Sequence, residues 1–254
     1  MPVLDRDGVT IHYEIEGEGP TVLLTHGYSA SAAMWRDNVP ALVEAGYRVI
    51  TWSMRGHGQS DSPDDEAKYS ADLTVADIDA LLDVADADKA VIGGMSLGGY
   101  MTLAYNLKHA DRIRAILLID TGPGFKNDEA REKWNVYARE RGDALLEKGE
   151  EALSASAETR LQAQNFRGLR NAAYGMLTQN SADAINSLPG IQVPALVVVG
   201  DRDEPFLAAS DYMAAKIPNA RKVVITDAGH AANVDQPPQF NAAVIEFLNN
   251  LQET

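Results

Sequence analysis

The chain has 254 residues, of which 45% are hydrophobic and 23% charged, proportions that support one large packed domain, or a domain with an insertion, rather than disorder. It carries 22 Lys and Arg against 37 Asp and Glu, a formal net charge of −15 that repels phosphate backbones and anionic lipid, so neither nucleic acid nor a membrane surface is an expected partner. Cysteine is absent, which excludes disulfides, thiolate metal sites and a cysteine nucleophile, and fits a reducing, cytoplasmic setting.

The N-terminal stretch MPVLDRDGVTIHYEIEGEGP has no basic segment followed by a long apolar run, so no secretory leader is expected. No apolar run approaches the ~20 residues that cross a bilayer. From Val9, VTIHYEIEG alternates like a half-exposed strand. Gly19-Pro20 makes a turn into a buried strand over Thr21 to Thr25, and a helix is predicted from Ser31 to Glu44. Further strands follow at Arg48 to Trp52, Ala90 to Gly93, Ile113 to Ile119, Ala195 to Val199 and Lys222 to Thr226. Amphipathic helices are predicted at Thr74 to Ala85, Leu97 to Lys108, Leu207 to Lys216 and Gln239 to Asn250. Strands alternating with helices of this length predict an α/β fold with a mostly parallel, doubly wound sheet covered on both faces.

The alternation breaks between about Gly124 and Leu188. NDEAREKWNVYARERGDALLEKGEEAL is helical in composition, with Asn127 or Asp128 able to cap it. Helical pattern resumes through RLQAQNFRGLRNAAYGMLTQ. About 65 residues exceed any ordinary loop, so an all-helical insertion over one end of the sheet is expected. The domain reading is therefore a core of residues 1–123 and 189–254, with a helical cap at 124–188.

One short stretch carries chemistry. Gly94-Met95-Ser96-Leu97-Gly98 fits G-x-S-x-G, between a predicted strand and a predicted helix. A serine lifted out of a sheet on a sharp turn takes a strained backbone conformation, and neighbouring Cβ atoms would collide with strand or helix. The helix start also offers the Leu97 N–H to developing negative charge.

A serine hydroxyl needs a base within hydrogen-bond reach. Of five histidines, His12 lies on an early strand, His57 in the glycine turn RGHGQS and His109 at a helix end, where structural roles suffice. His230 follows the last predicted strand in DAGHAANVDQP. Loops after parallel strands converge on one edge, so His230 is expected beside Ser96. The imidazole needs an anion, and VVVGDRDEPF offers Asp201, Asp203 and Glu204, while Asp120 ends another strand at the same edge. The His26-Gly27-Tyr28 turn follows the first buried strand. There the N–H of Tyr28 joins that of Leu97 as an expected oxyanion hole, each donor worth roughly 2.7–4 kcal/mol to the chemical step.

Taken together, LLTHGYSAS, MRGHGQSDSP, GGMSLGGYMTLAY, VVVGDRDEPF and DAGHAANVDQPPQFNAAVIEFL resemble the α/β-hydrolase superfamily in order and spacing, over nearly the whole chain. The resemblance implies Ser96 as nucleophile, Asp203 as the acid of a G-x-x-D pattern and His230 as base, with Tyr28 and Leu97 as oxyanion donors. It implies a helical cap at the insertion, and no metal or organic cofactor. Asp235 departs from the glutamate that relatives often carry there. Within the superfamily the chain is most similar to the carboxylesterase, lactonase and enol-lactone hydrolase branch. Members that open epoxides or remove halogen use an aspartate nucleophile, against which Ser96 argues; cofactor-free perhydrolases keep the serine.

The implied reaction is acyl transfer from a small-molecule ester to Ser96 and then to water, with opening of a lactone, hydrolysis of a carbon–carbon bond in a vinylogous diketone, or a slowly hydrolysing ligand receptor as the alternatives. Met34, Trp35, Met95, Trp134, Tyr137, Phe166, Tyr174, Met176 and Phe206 are candidate pocket residues and suggest a largely apolar site. Arg167, Arg170 and Arg202 are candidate local cations. Oligomeric state is not legible.

Overall fold

The structure, a computed structural model, describes residues 2–153 and 165–251. It begins with β1 (Val3–Asp5), β2 (Thr10–Glu16), β3 (Thr21–Thr25), α1 (Val39–Glu44), β4 (Arg48–Trp52), α2 (Ala71–Val84), β5 (Ala90–Met95), α3 (Leu97–His109) and β6 (Ile113–Ile119). It continues with α4 (Asp128–Lys148), α5 (Phe166–Ala172), α6 (Asp183–Ser187), β7 (Ala195–Gly200), α7 (Glu204–Lys216), β8 (Ala220–Ile225), α8 (Ala232–Asp235) and α9 (Pro237–Asn250). The strands form one eight-stranded sheet in the order β1-β2-β4-β3-β5-β6-β7-β8. β1 and β2 pair antiparallel to their neighbours, and the rest of the sheet is parallel. The expected α/β architecture is therefore present.

The central strands are buried along their whole length because both faces of the sheet are covered. Alternate residues point to opposite layers. Leu23, Ile50, Ile92, Ile116, Leu118 and Val197 pack with α2 and α3 on one face. Val22, Leu24, Val49, Leu117, Ile119 and Val198 pack with α1 and α9 on the other.

Where elements differ from expectation, the causes are local. β1 has three residues, too few for an alternating pattern to be read from sequence. The helix expected over Ser31 to Glu44 is two pieces, a 3₁₀ turn at Ala32–Trp35 capped by Ser31, then α1. Pro40 has no N–H to continue the first piece, and at the junction the Asn38 side-chain amide donates to the Asn233 carbonyl at 3.1 Å while its backbone N–H stays with Trp35. α7 starts three residues before the expected Leu207, at Glu204, because Pro205 favours the first turn of a helix.

Between β6 and β7 the described residues contain helices and no strand. Asn127 caps α4 by accepting from the Ala130 N–H at 2.9 Å, as the sequence suggested. Asn165 caps α5 in the same way, and α5 runs into a π-helical turn at Ala173–Leu177. The helical pattern read over 160–164 lies outside the described residues. Among the described residues, no helix is long and apolar enough to cross a membrane.

Candidate active site

β5 runs between β3 and β6, and its last residue, Met95, delivers Ser96 to the carboxyl edge of the sheet. Ser96 has φ 52° and ψ −114°, left-handed and unusual for a residue with a side chain. The turn tolerates this only with glycine at the flanks. A Cβ on Gly94 would meet the Gly98 carbonyl carbon at 2.3 Å, and one on Gly98 would meet the Thr25 carbonyl oxygen at 2.2 Å. The strain is held from behind: the Ser96 N–H donates to the Ile119 carbonyl at 2.9 Å, and the Thr121 hydroxyl donates to the Ser96 carbonyl at 2.6 Å.

The loops after β7 and β8 bring the other two groups. His230 Nε2 lies 3.0 Å from Ser96 Oγ, and His230 Nδ1 lies 2.9 Å from Asp203 Oδ2. The Asp203 side chain is 4% exposed and that of His230 35%, so the ion-pairing end is dry and the serine end opens to the cavity. Phe206, from the first turn of α7, stacks on the imidazole with centroids 4.7 Å apart and planes at 24°, which fixes the ring's tilt.

The other carboxylates separate cleanly. Asp120 is fully buried at φ 44°, and its two oxygens accept the Gly200 and Ala232 N–H groups at 2.8 Å each. It therefore ties the end of β6 to β7 and to the start of α8, and makes no bond to His230. Burial pushes its carboxyl up to about 7, against the pull of those two donors. Asp201 accepts the Ala228 N–H at 3.2 Å, and Glu204 is exposed at the start of α7. Asp235, shorter than the glutamate of many relatives, still accepts the Gly229 N–H at 2.7 Å. Asp235 and Asp120 thus pin the backbone on either side of His230.

The remaining histidines are structural. His26 accepts the Met54 N–H at Nε2, which leaves Nδ1–H to donate to the Gly27 carbonyl at 2.7 Å. This bond fastens the turn holding Tyr28 to the end of β4. Burial keeps His26 neutral and lowers His57, whose ring lies 4.9 Å from it, to about 4. His109 stacks on Tyr105 with centroids 4.8 Å apart.

Tyr28 and Leu97 both line the cavity beside Ser96, with Leu97 opening α3, where a helix has no acceptor for its own N–H. The Tyr28 phenol donates to the Leu169 carbonyl at 2.9 Å, so it links the β3 turn to α5, and burial raises it above the usual phenol range.

The cavity has a volume of about 900 Å³ and lies between the sheet edge and α4. Met95, Trp134, Tyr137 and Phe206 line it as expected. Five other candidates do not. Met34 and Trp35 are buried in the core beneath the opposite face, with the Trp35 ring 6.3 Å from Phe240. Met176 is fully buried in the other core layer, and Phe166 packs partly buried against it. Tyr174 donates to Asp143 at 2.7 Å beneath the Arg170 guanidinium. The candidate arginines are also elsewhere: Arg167 pairs with Asp64, Arg170 with Glu66 and Asp143, and Arg202 with Asp227.

Sequence reasoning missed several wall residues. Ala130, Lys133 and Arg141 share one stripe of α4, at helical spacing, with the candidates Trp134 and Tyr137, and all five face the cavity. A helical wheel started at Trp134 would have found them. Tyr100 stands one turn beyond Ser96 on α3. Gln179 is buried in the wall with its backbone clamped by the Asn135 amide at 2.7 and 2.9 Å, and its side-chain oxygen has no partner among the described residues. Among the described residues, no three His, Asp or Glu side chains are grouped to hold a metal ion.

Residues 20–172 match a family model described as alpha/beta hydrolase fold. The 3-oxoadipate enol-lactonase 1 of Acinetobacter baylyi is 26% identical, over 98% of this chain and 97% of its own length. Bifunctional epoxide hydrolase 2 of Sus scrofa is also 26% identical, over 97% of this chain and 54% of its own. A thermophilic esterase from Thermogutta terrifontis has a similar structure, with a TM-score of 0.84 at 27% identity over 98% of this chain and 97% of that one.

Proposed function

The chain belongs to the alpha/beta hydrolase fold family, and from that premise we propose that it is a serine hydrolase, cleaving carboxylic esters with largely apolar bodies through an acyl-enzyme. The observation that carries the proposal is the unbroken line from Ser96 Oγ to His230 Nε2 at 3.0 Å and from His230 Nδ1 to Asp203 Oδ2 at 2.9 Å, at the wall of a cavity large enough for a substrate.

In the proposed reaction Ser96 Oγ bonds to the ester carbonyl carbon as its proton passes to His230 Nε2. Asp203 accepts from Nδ1–H, which fixes the tautomer with a free Nε2 lone pair and stabilises the imidazolium. The carbonyl oxygen, now an oxyanion, takes the N–H groups of Tyr28 and Leu97. The carbon–oxygen bond to the alcohol breaks and the His230 proton goes to that alkoxide. Water, deprotonated by the same nitrogen, adds to the acyl carbon and releases the acid and Ser96. Residues 124–188 serve as a cap that shields the intermediate from bulk water. The −15 charge and the lack of cysteine suit the cytoplasmic setting proposed with it.

Lactone opening is the second reading, favoured by the likeness to an enol-lactonase along 98% of the chain; the chemistry differs only in that alcohol and acid leave as one molecule. A nucleophile of the aspartate kind is absent from position 96, which weighs against epoxide opening. The test is Ser96→Ala against a panel of 4-nitrophenyl esters, lactones, thioesters and diketones, beside labelling by a fluorophosphonate. Wild type is expected to label and to turn over esters or lactones, and the variant to do neither. Unchanged turnover in Ser96→Ala removes the nucleophile, and labelling without turnover of any substrate indicates a receptor.

A further inference from the structure

The cavity wall differs in charge from the rest of the molecule. The chain has 37 Asp and Glu against 22 Lys and Arg, yet among the described residues lining the cavity Asp203 is the sole carboxylate, and it is engaged with His230. Two cations among the described residues line the same space, Lys133 and Arg141, both on the inward stripe of α4.

The two cations are not equivalent. Lys133 bonds Glu129 at 2.8 Å, and both side chains are about three-quarters exposed, so its charge is matched and hydrated. Arg141 is half-buried, with its guanidinium carbon 5.8 Å from the centre of the Tyr28 ring. No carboxylate among the described residues pairs with it. Asp143, two residues on, is occupied by Arg170 at 3.3 Å and by the Tyr174 hydroxyl at 2.7 Å. A planar guanidinium with N–H donors unmet by the described residues, held against an aromatic wall of a substrate-sized cavity, matches an oxyanion of planar, forked geometry.

We propose that Arg141 binds a carboxylate on the substrate, so that the class taken by this site is esters or lactones with an apolar body and a free carboxylate remote from the scissile carbonyl. This rests on the serine hydrolase reading above. Tyr28 joins the two ends of the site: its ring lies beneath Arg141, and its backbone belongs to the turn beside Ser96. The Arg141 contact therefore orients the substrate relative to the oxyanion donors, and its loss is felt in KM more than in kcat.

The experiment compares 4-nitrophenyl hemiesters of succinate, glutarate and adipate with the neutral butanoate, pentanoate and hexanoate esters, in wild type, Arg141→Met and Arg141→Lys. The readout is the ratio of kcat/KM for each anionic ester to that of its neutral counterpart. For the best-fitting chain length, Arg141→Met is expected to lower that ratio by about tenfold or more, mainly through KM, as loss of a charge-assisted contact implies. Arg141→Lys keeps the charge but not the fork, and is expected to recover part of the loss. If wild type hydrolyses both series and Arg141→Met leaves every ratio within a factor of two, this inference is overturned and the hydrolase reading stands. If wild type hydrolyses neither series nor any lactone, the hydrolase reading fails and takes this inference with it.

Discussion

Asp203 and Asp120 both follow strand ends at the edge that holds Ser96, and replacing each by asparagine separates chemistry from scaffolding. In Asp203→Asn the amide puts an NH₂ or a weaker carbonyl where Oδ2 accepts from His230 Nδ1 at 2.9 Å. The NH₂ arrangement forces the imidazole to carry its proton on Nε2, facing Ser96 Oγ at 3.0 Å, and the base is lost. By analogy with the corresponding change in another serine hydrolase, kcat should fall by about 10⁴-fold with little change in stability. Asp120→Asn acts differently, since both Asp120 oxygens accept backbone N–H groups at 2.8 Å. An amide offers one acceptor for two donors, and a buried donor left unmet costs about 1–3 kcal/mol. At roughly 2–4 °C per kcal/mol for a chain of this size, the melting temperature at pH 5 should drop by several degrees. The deficit is pH-dependent, with a definite sign. Burial raises the Asp120 carboxyl from 3.8 to about 7 in the folded state, so folded protein holds a proton there that unfolded protein releases. That contribution is complete below about pH 4 and is lost as pH rises through 7. The variant cannot titrate, so its stability relative to wild type should rise by about 3 kcal/mol between pH 5 and 8, enough to abolish or reverse the deficit. Urea unfolding at both pH values and kcat at pH 8 provide the readings. A kcat loss of several orders in Asp120→Asn, with Asp203→Asn close to wild type, would refute the assignment of the acid; equal deficits at both pH values would refute the burial argument.

Two further changes probe the scaffold. Gly98→Ala drives a methyl to 2.2 Å from the Thr25 carbonyl, backbone against backbone, and should cost about 3 kcal/mol or more or leave the protein insoluble, while Gly190→Ala, with nothing within 4 Å of its Cβ, should melt within a degree or two of wild type. Arg55→Met removes the partner that bonds both oxygens of the fully buried Asp77 at 2.7 and 2.8 Å, leaving only Arg6 at 3.2 Å; urea unfolding should report a loss of about 3 kcal/mol, and a loss under 1 kcal/mol would show that Arg6 suffices.

Much of the site was written locally. Ser96 declares itself because the turn it needs excludes Cβ atoms at Gly94, which faces Gly98 within five residues, and at Gly98, which faces Thr25 on β3, so that the marking pattern is local even where the clash is not. His230 and a set of carboxylates, Asp120, Asp201, Asp203 and Glu204, were expected together because parallel strands send their following loops to one edge, and Asp203 was preferred among them only through the G-x-x-D resemblance. The pocket wall was legible only in part. Trp35 and Phe166 look like lining because they are large and apolar, but that is also what a core takes, and hydrophobicity carries no direction. Trp134 and Tyr137 were identified while Arg141, one turn further on the same stripe, was not, because a surface arginine reads as solvated until the neighbouring carboxylates are known to be spent.

The sequence alone determined the element order, the layered parallel sheet and the strained serine, since each depends on periodicity, turn chemistry or sterics among residues near one another in the chain. Tertiary structure decided which of two buried carboxylates faces the imidazole and which holds the backbone around it. It also split the helix expected after Ser31 at Asn38, and left one arginine of the cavity wall without a counter-charge among the described residues. Those outcomes turn on hydrogen bonds between residues 27 to 195 positions apart, and no local pattern encodes which distant donor reaches an acceptor first.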